Sequence, residues 1–321
     1  MTPGRAPTRS ELGDGLYRDR SAAGSSLARA WYGAFVRQCW TIGIARGTLG
    51  SDAGWIHTGR LLKPLRWGDF LADPFVVPGT AGRVVLCEWN QAWRGKGVIA
   101  RMSIDETGEV ENLSELIVSA DFHLSYPYVF AHRGVLYCAP ENCHSGGVRL
   151  YELSPDADKV LESRQILEGF PAVDPTIFEL GGRWWLMCTS ARHHQRDTHL
   201  YAFHSSSPMG PWEAHASNPI VVDAASARPG GRVFASNGRL YRPAQDCSVR
   251  YGGGLRVFEI EELTPDKYRQ TLCWSVHPPI GEHGRHGIHN IDGSTGVIVY
   301  DAYTMRFTPF AWLYRIRERW R

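Results

Sequence analysis

Four short segments of this chain pair a functional side chain with a following proline. They are Asp73-Pro74-Phe75, Tyr126-Pro127-Tyr128, Asp174-Pro175-Thr176 and Arg228-Pro229-Gly230. Glu88, Glu141 and Thr189 each follow the first three by 15 residues, and Gln245-Asp246 holds the comparable place in the fourth copy, two or three residues later. Carboxylates gathered in a confined site must share protons or pair with cations, and that cost drives their pKa values apart. A split of this kind is what general acid and base work on a glycosidic bond requires. Arg228 and Arg242 add planar forks suited to phosphate or carboxylate, or to neutralising the acidic groups themselves. Asp before Pro is also an ordinary turn element, so each motif taken singly is ambiguous, and equivalent positions in two repeats argue for more.

The elements that must position these groups are short β-strands. The four prolines are 53, 48 and 54 residues apart, and each opens an apolar strand. A turn and a second strand follow, as in Val129-Phe130, His132-Arg133-Gly134 and Val135-Leu136-Tyr137. A weaker fifth copy runs from His286-Gly287-Ile288-His289-Asn290 into Val297-Ile298-Val299-Tyr300-Asp301. Units of about 50 residues with three or four strands bury both sheet faces only between radial neighbours, so the sequence predicts an all-β, five-bladed β-propeller. A β-sandwich or open solenoid is the competing architecture. Residues 31–321 form the single domain, and residues 1–30, rich in Gly, Ser, Arg and Pro, are expected to be a disordered tail. The strand around Cys39-Trp40-Thr41-Ile42 is expected to pair with Phe310-Ala311-Trp312-Leu313-Tyr314 and close the ring.

In a propeller the first strand of every blade lines the central channel. Asp73, Tyr126, Asp174, Arg228 and His286 or His289 should therefore surround one funnel, with Glu88, Glu141, Gln245, Asp246 and Asp301 on or near its rim.

Composition narrows the function classes. Lys plus Arg number 35 against 33 for Asp plus Glu, so no global field draws the chain to nucleic acid or to an anionic membrane. No apolar run reaches 18 residues and no secretory signal is evident, which predicts no membrane insertion and a cytoplasmic location. Seven cysteines with no CxxC pair are expected to be reduced, buried and structural. Walker and dinucleotide glycine signatures and the Gly-x-Ser-x-Gly elbow are all missing, which removes nucleotide hydrolysis, redox and serine hydrolase chemistry.

Ala72-Asp73-Pro74-Phe75, Val173-Asp174-Pro175-Thr176-Ile177-Phe178 and Gly182-Arg183-Trp184-Trp185-Leu186 resemble the five-bladed glycoside hydrolases of families 43 and 32. A closer resemblance is to the propeller domain of plant glucosamine inositolphosphorylceramide transferases and its stand-alone bacterial relatives. It is carried by His123-Leu124-Ser125-Tyr126-Pro127, Ala139-Pro140-Glu141, Arg228-Pro229-Gly230-Gly231 and Arg242-Pro243-Ala244-Gln245-Asp246.

The hydrolase resemblance implies Asp73 as base or nucleophile and Asp174 as an orienting group. It departs where those enzymes carry the acid Glu, because Arg228 stands there. Either Glu141, or after it Glu88, has become the acid, or the leaving group is a phosphate held by Arg228 and Arg242 in a transfer or phosphorolysis. A non-catalytic sugar-binding propeller is the third alternative. The catalytic set is thus Asp73, Asp174 and Glu141, and the saccharide or sugar phosphate is bound by Glu88, His123, Tyr126, Arg228, Arg242, Gln245, Asp246 and His289.

His283, His286 and His289 recur every three residues, a weak metal pattern on loops. No metal or other cofactor is predicted, and the resemblance leaves only calcium open. His193-His194 should face solvent, and Trp89, Trp93 and Trp212 are candidate sugar platforms, though packing between blades is the commoner use of such rings.

Overall fold

A computed structural model describes residues 34–50, 52–63, 65, 68–105, 107–116, 122–192, 194–278, 285–294, 296–308 and 310–314, without the side chain of Cys143. The expected tail over residues 1–30 lies outside them, as do His193 and His283.

Five antiparallel sheets form the blades of a β-propeller. From the axis outward, blade I is Phe70–Val76, Val84–Gln91, Lys96–Ile104 and Val110–Glu115. Blade II is Ser125–His132, Val135–Glu141, Gly147–Leu153 and Val160–Glu168, and blade III is Ala172–Leu180, Arg183–Ser190, His199–Ser205 and Glu213–Ala214, with Val221–Val222 also on its third strand. Blade IV is Phe234–Ser236, Arg239–Gln245, Leu255–Leu263 and Tyr268–Val276. Burial falls outward from the axis: Phe70–Val76 is almost wholly buried, whereas Val160–Glu168 is mostly exposed.

Blade V is assembled from both ends of the chain. Ile291–Ser294 is innermost, then Val297–Phe307, then Val36–Arg46 and Arg60–Leu61. The ring closes as expected, but with a different partner. Val36–Arg46 pairs along all of its 11 residues with Val297–Phe307, and Ala311–Tyr314 is helical. The long strand that leaves Asp301 already supplies the ladder, which stops two residues before Pro309, a residue with no N–H to donate.

Apolar side chains fill the wedges between blades. Ile42 and Val299 of blade V meet Val76 and Val85 of blade I, and Leu255 of blade IV meets Ile291, Ile298 and Tyr300 of blade V. Trp185, Met187 and Leu200 of blade III meet Val233 and Ile260 at the blade IV boundary.

The axis is filled by polar groups that find partners across blades. Arg232 donates from Nε to Asp292 Oδ1 (2.8 Å) and from Nη2 to Asp292 Oδ2 (3.0 Å), while Nη1 reaches the Val129 carbonyl (2.7 Å) and Nη2 also the Val76 carbonyl (3.2 Å). The Val76 N–H in turn donates to Asp292 (2.8 Å). One guanidinium thereby fastens strands of blades I, II and V. Gly231, with φ +136°, runs beside Ile291, and a Cβ there would stand 1.8 Å from the Ile291 carbonyl oxygen, so only glycine allows this approach. Among the described residues no helix is long and apolar enough to cross a membrane.

Candidate functional site

The repeated X-Pro motifs have a common backbone form. Asp73, Tyr126 and Asp174 hold φ of 50°, 45° and 52°, in the left-handed region that residues other than glycine rarely enter. The ladder slips at the same place in each inner strand, between Ala72 and Phe75, Ser125 and Tyr128, and Val173 and Thr176. Just ahead of each bulge, Ala72 pairs with Glu88, Ser125 with Glu141 and Val173 with Thr189, which is the 15-residue register seen in structure. A bulge re-aims one side chain, and backbone strain of about 1–3 kcal/mol per residue persists only where the surroundings enforce it.

Asp73 sits in a web of donors and acids from blades I, II and V. Its own N–H donates to Asp301 Oδ2 (3.0 Å), and its Oδ2 accepts from the Tyr126 N–H (3.1 Å). Its Oδ1 lies 3.6 Å from His289 Nε2, and His289 Nδ1 lies 2.6 Å from Asp301 Oδ2. Burial holds the Asp73 carboxyl well above the usual range, and Glu88, Asp301 and Asp174 push the same way against His289. Burial disfavours the imidazolium of His289, but Asp301 and Asp73 outweigh it and raise its pKa. Trp40 stacks on the His289 ring (3.8 Å between centroids, 15° between planes), with Tyr251 edge-on at 5.2 Å.

Asp174 belongs to a second centre. Its Oδ2 accepts from Arg228 Nε (2.7 Å) and Gln245 Nε2 (2.9 Å), and Gln245 is fixed by a second bond to the Pro229 carbonyl (2.8 Å). Arg228 also donates from Nη1 to Asp197 Oδ1 (2.9 Å), lies 3.9 Å from Glu141 and rests on the Tyr251 ring at 4.7 Å. Burial raises the Asp174 pKa to about 7; Arg228 opposes this, and Glu141, which shares a hydrogen bond with Asp174, adds to it. Burial alone would weaken the Arg228 cation, but Asp174, Tyr251, Asp197 and Glu141 drive its pKa well up. Asp174 is therefore a carboxyl able to hold a proton near neutral pH, with Glu141 and a permanent cation beside it.

Glu88 accepts from Asn90 Nδ2 (3.3 Å) and lies 3.5 Å from His123 Nε2. His123 Nδ1 accepts from the Gly97 N–H (3.0 Å). Although the His123 side chain is 40% exposed, the surrounding protein lowers its pKa to about 4, with His144 and Arg196 adding to the effect. It is neutral at pH 7.

Asp73, Asp174, Glu141, Glu88, His123, Arg228, Gln245 and His289 thus gather at one end of the channel. Three expected members do not join them as binding groups. Tyr126 is fully buried, and its hydroxyl is spent on Thr176 Oγ1 (2.9 Å) and on the N–H (3.1 Å) and carbonyl (3.3 Å) of Gly231, so it plugs the axis. Arg242 turns into blade IV, bonding Gln270 Oε1 (2.8 Å), the Tyr268 hydroxyl (3.2 Å) and the Ser226 carbonyl. It lies three positions before Gln245 on one strand, which puts the two on opposite faces. Asp246 is held by Arg256 (2.8 Å), His277 (2.9 Å) and Ser248 Oγ (2.5 Å); burial works against its charge, but these partners lower its pKa to about 2. The two arginines suggested as phosphate ligands are both engaged by protein groups, and Arg228 faces three carboxylates.

Asp197, Tyr251 and Trp40 complete the site and were not among the residues anticipated there. They come from loops and from the closing strand, where no repeat register marks them. His286 and His194 are exposed. Trp212 packs against the core, Trp89 donates to Asp69 (3.4 Å), and Trp93 is exposed. Cys273 is exposed, contrary to the expectation that every cysteine is buried.

Donor atoms of Asp73, His289 and Asp301 lie within 4.8 Å of one another. They suit calcium poorly. Both Asp301 oxygens already accept backbone N–H groups of Asp73, His289 and Asn290, whereas calcium takes six to eight oxygen ligands.

Comparison with known proteins shows the family to which the chain belongs. The chain is 34% identical over 208 residues to glucosamine inositolphosphorylceramide transferase 1 of Oryza sativa subsp. japonica, and 35% identical over 212 residues to the Arabidopsis thaliana protein of that name. Each match covers 63% of this chain but only 28% and 27% of those longer relatives. Among solved structures it is similar in fold to an α-L-arabinanase of Cellvibrio cellulosa (TM-score 0.46, 14% identity, 63% of this chain and 77% of that one). It is also similar to an endo-1,4-β-xylanase of Bacteroides thetaiotaomicron (TM-score 0.48, 12% identity, 78% and 98%). The family described as glucosamine inositolphosphorylceramide transferase 1, N-terminal, matches residues 64–287, more than half of the chain, and the protein belongs to that family.

Proposed function

We propose that the funnel binds a saccharide and acts on a glycosidic bond. The observation that carries this reading is the convergence, at one end of the channel, of two acidic centres in different surroundings. Asp73 serves as the acid-base carboxyl on one side. On the other side Glu141 serves as proton donor next to Asp174, which Arg228 and Gln245 fix. Carboxyls with raised pKa values are matched to proton transfer near neutral pH. The names of the plant relatives support an amino sugar, glucosamine, linked to an inositol phosphate as the class of glycoside to try first.

The test is turnover of an aryl glucosaminide and of glucosaminyl-inositol phosphate by the wild type and by Asp73→Asn. Loss of turnover with unchanged circular dichroism is expected; equal turnover removes the reading. A second reading, a sugar-binding propeller without catalysis, is favoured by one observation. Arg228 stands where a hydrolase acid would be and is locked to Asp174 at 2.7 Å. It predicts saturable saccharide binding with no product from the wild type.

A further inference from the structure

The two acidic centres meet at Tyr251. Arg228, which holds Asp174 at 2.7 Å, lies over the Tyr251 ring, 4.7 Å from its centroid. His289, 3.6 Å from Asp73, meets the same ring at 5.2 Å between centroids and 83° between planes, and Trp40 packs against it at 6.3 Å. The ring therefore spans the gap between the Asp73 and Asp174 centres, the place where an acid and a base would flank a glycosidic bond.

Its hydroxyl has no task within the protein. Among the described residues none hydrogen-bonds it, although it lies among charged groups, and it is not one of the sealed polar atoms of the interior. Burial raises the phenol pKa well above 10; Arg228 opposes this, and Asp73, Asp174 and Glu88 add to it. Members of both centres thus act on one hydroxyl, and it keeps its proton at neutral pH. That makes it a donor and not a nucleophile.

The loop that carries Tyr251 is fastened on both sides of it. Asp246 accepts from the N–H (3.1 Å) and hydroxyl (2.5 Å) of Ser248, Arg250 donates to the His286 carbonyl (2.6 Å), and the Gly252 carbonyl accepts from the Ile288 N–H (3.1 Å). Gly252 holds φ +64°, and a Cβ there would stand 2.6 Å from the Trp40 ring, so the loop lies hard against the closing strand. Asp246, which makes no contact with the funnel groups, thereby acts on the site through this loop. A donor fixed in advance strengthens as negative charge grows on an oxygen leaving a breaking bond, without reorganisation.

We propose that the Tyr251 hydroxyl donates a hydrogen bond to the glycosidic oxygen of the bound saccharide, as a catalytic donor beside Glu141. It gives up no proton: Glu141 protonates the leaving oxygen, and the phenol O–H stays intact. This role rests on the glycosidic reading above and names the side chain that meets the bond itself.

The experiment titrates the wild type and Tyr251→Phe, by calorimetry, with methyl glucosaminide and with its anomeric deoxy analogue, the same ring with hydrogen in place of the glycosidic oxygen and its methyl group. The wild type should prefer the methyl glycoside, and Tyr251→Phe should reduce that preference by about three- to ten-fold while binding the deoxy analogue as the wild type does. Turnover of glucosaminyl-inositol phosphate should fall by about 10²-fold in Tyr251→Phe, and that of an aryl glucosaminide, whose leaving group needs less help, by much less. The variant keeps the ring against Arg228 and His289, and its urea midpoint should not drop, because the lost hydroxyl bonds no protein group. An unchanged preference, or an equal loss of affinity for both probes, overturns the proposal and leaves the glycosidic reading standing if the wild type turns over. A preference that Tyr251→Phe abolishes, in a wild type that makes no product, removes the catalysis and keeps the hydrogen bond. A wild type that binds neither probe overturns both.

Discussion

Replacing Arg228 by Leu removes the cation on which the buried carboxyls of blades II and III depend. In the wild type its Nε meets Asp174 at 2.7 Å and its Nη1 meets Asp197 at 2.9 Å, both out of bulk water. Breaking a buried pair on one side costs about 3–5 kcal/mol, because the other charge stays behind unpaired. The loss depends on pH. Asp174 has a folded pKa of about 7 against 3.8 ordinarily, so the folded state holds this proton more tightly than the unfolded chain. Its contribution to stability is complete below about pH 4 and disappears as pH rises through 7, a swing of about 4 kcal/mol at 1.36 kcal/mol per unit.

Without Arg228 the carboxyl titrates higher still. At pH 5 Asp174 is protonated in both proteins and they differ least. At pH 8 the variant must bury an unpaired carboxylate or take up a proton from dilute supply, and the full 3–5 kcal/mol appears, roughly 10 °C in Tm for a domain of this size. Urea denaturation followed by tryptophan fluorescence from pH 5 to 9, on both proteins, reads the difference. A variant as stable as the wild type at pH 8, or a deficit that does not change with pH, refutes the reasoning.

Two further outcomes follow from the axis. Arg232→Met should lower stability by about 3 kcal/mol or more, because Asp292 is left buried and two carbonyls lose their donor, whereas Arg239→Met, at an exposed pair with Glu259, should leave the urea midpoint unchanged. Gly231→Ala should prevent stable folding, since its Cβ would overlap the Ile291 carbonyl. Gly79→Ala, with φ +81° but open space around it, should cost only about 1–2 kcal/mol by the same denaturation assay.

Much of this architecture was legible because a propeller repeats its backbone. The 15-residue offset from Asp73, Tyr126 and Asp174 reports a real pairing, and so Glu88, Glu141 and Thr189 were placed by spacing alone. Offset does not say which way a side chain points. Gln245 faces Asp174 while Arg242, of opposite parity on the same strand, faces Tyr268 and Gln270. Counting in twos from Gln245 would have separated them. Tyr126 shares the bulge of the two aspartates, yet its longer side chain reaches across the axis to Gly231, where its hydroxyl is spent on protein groups. Asp197, Tyr251 and Trp40 left no trace, because their position depends on loop paths and on how the chain ends meet. The partner of the closing strand was misassigned for a related reason: two aromatic segments near the C-terminus could serve, and only the continuous ladder to Phe307 distinguishes them.

The central claim is that sugar is held at the Asp73–Asp174 end of the channel. A crystal structure of the chain with an uncleavable thio-linked glucosaminide tests it most directly. The expected result is a sugar ring with hydroxyl or amine groups about 2.6–3.2 Å from Asp73 and from Glu88 or Glu141. Ordered ligand between outer strands, or none at saturating concentration, contradicts it.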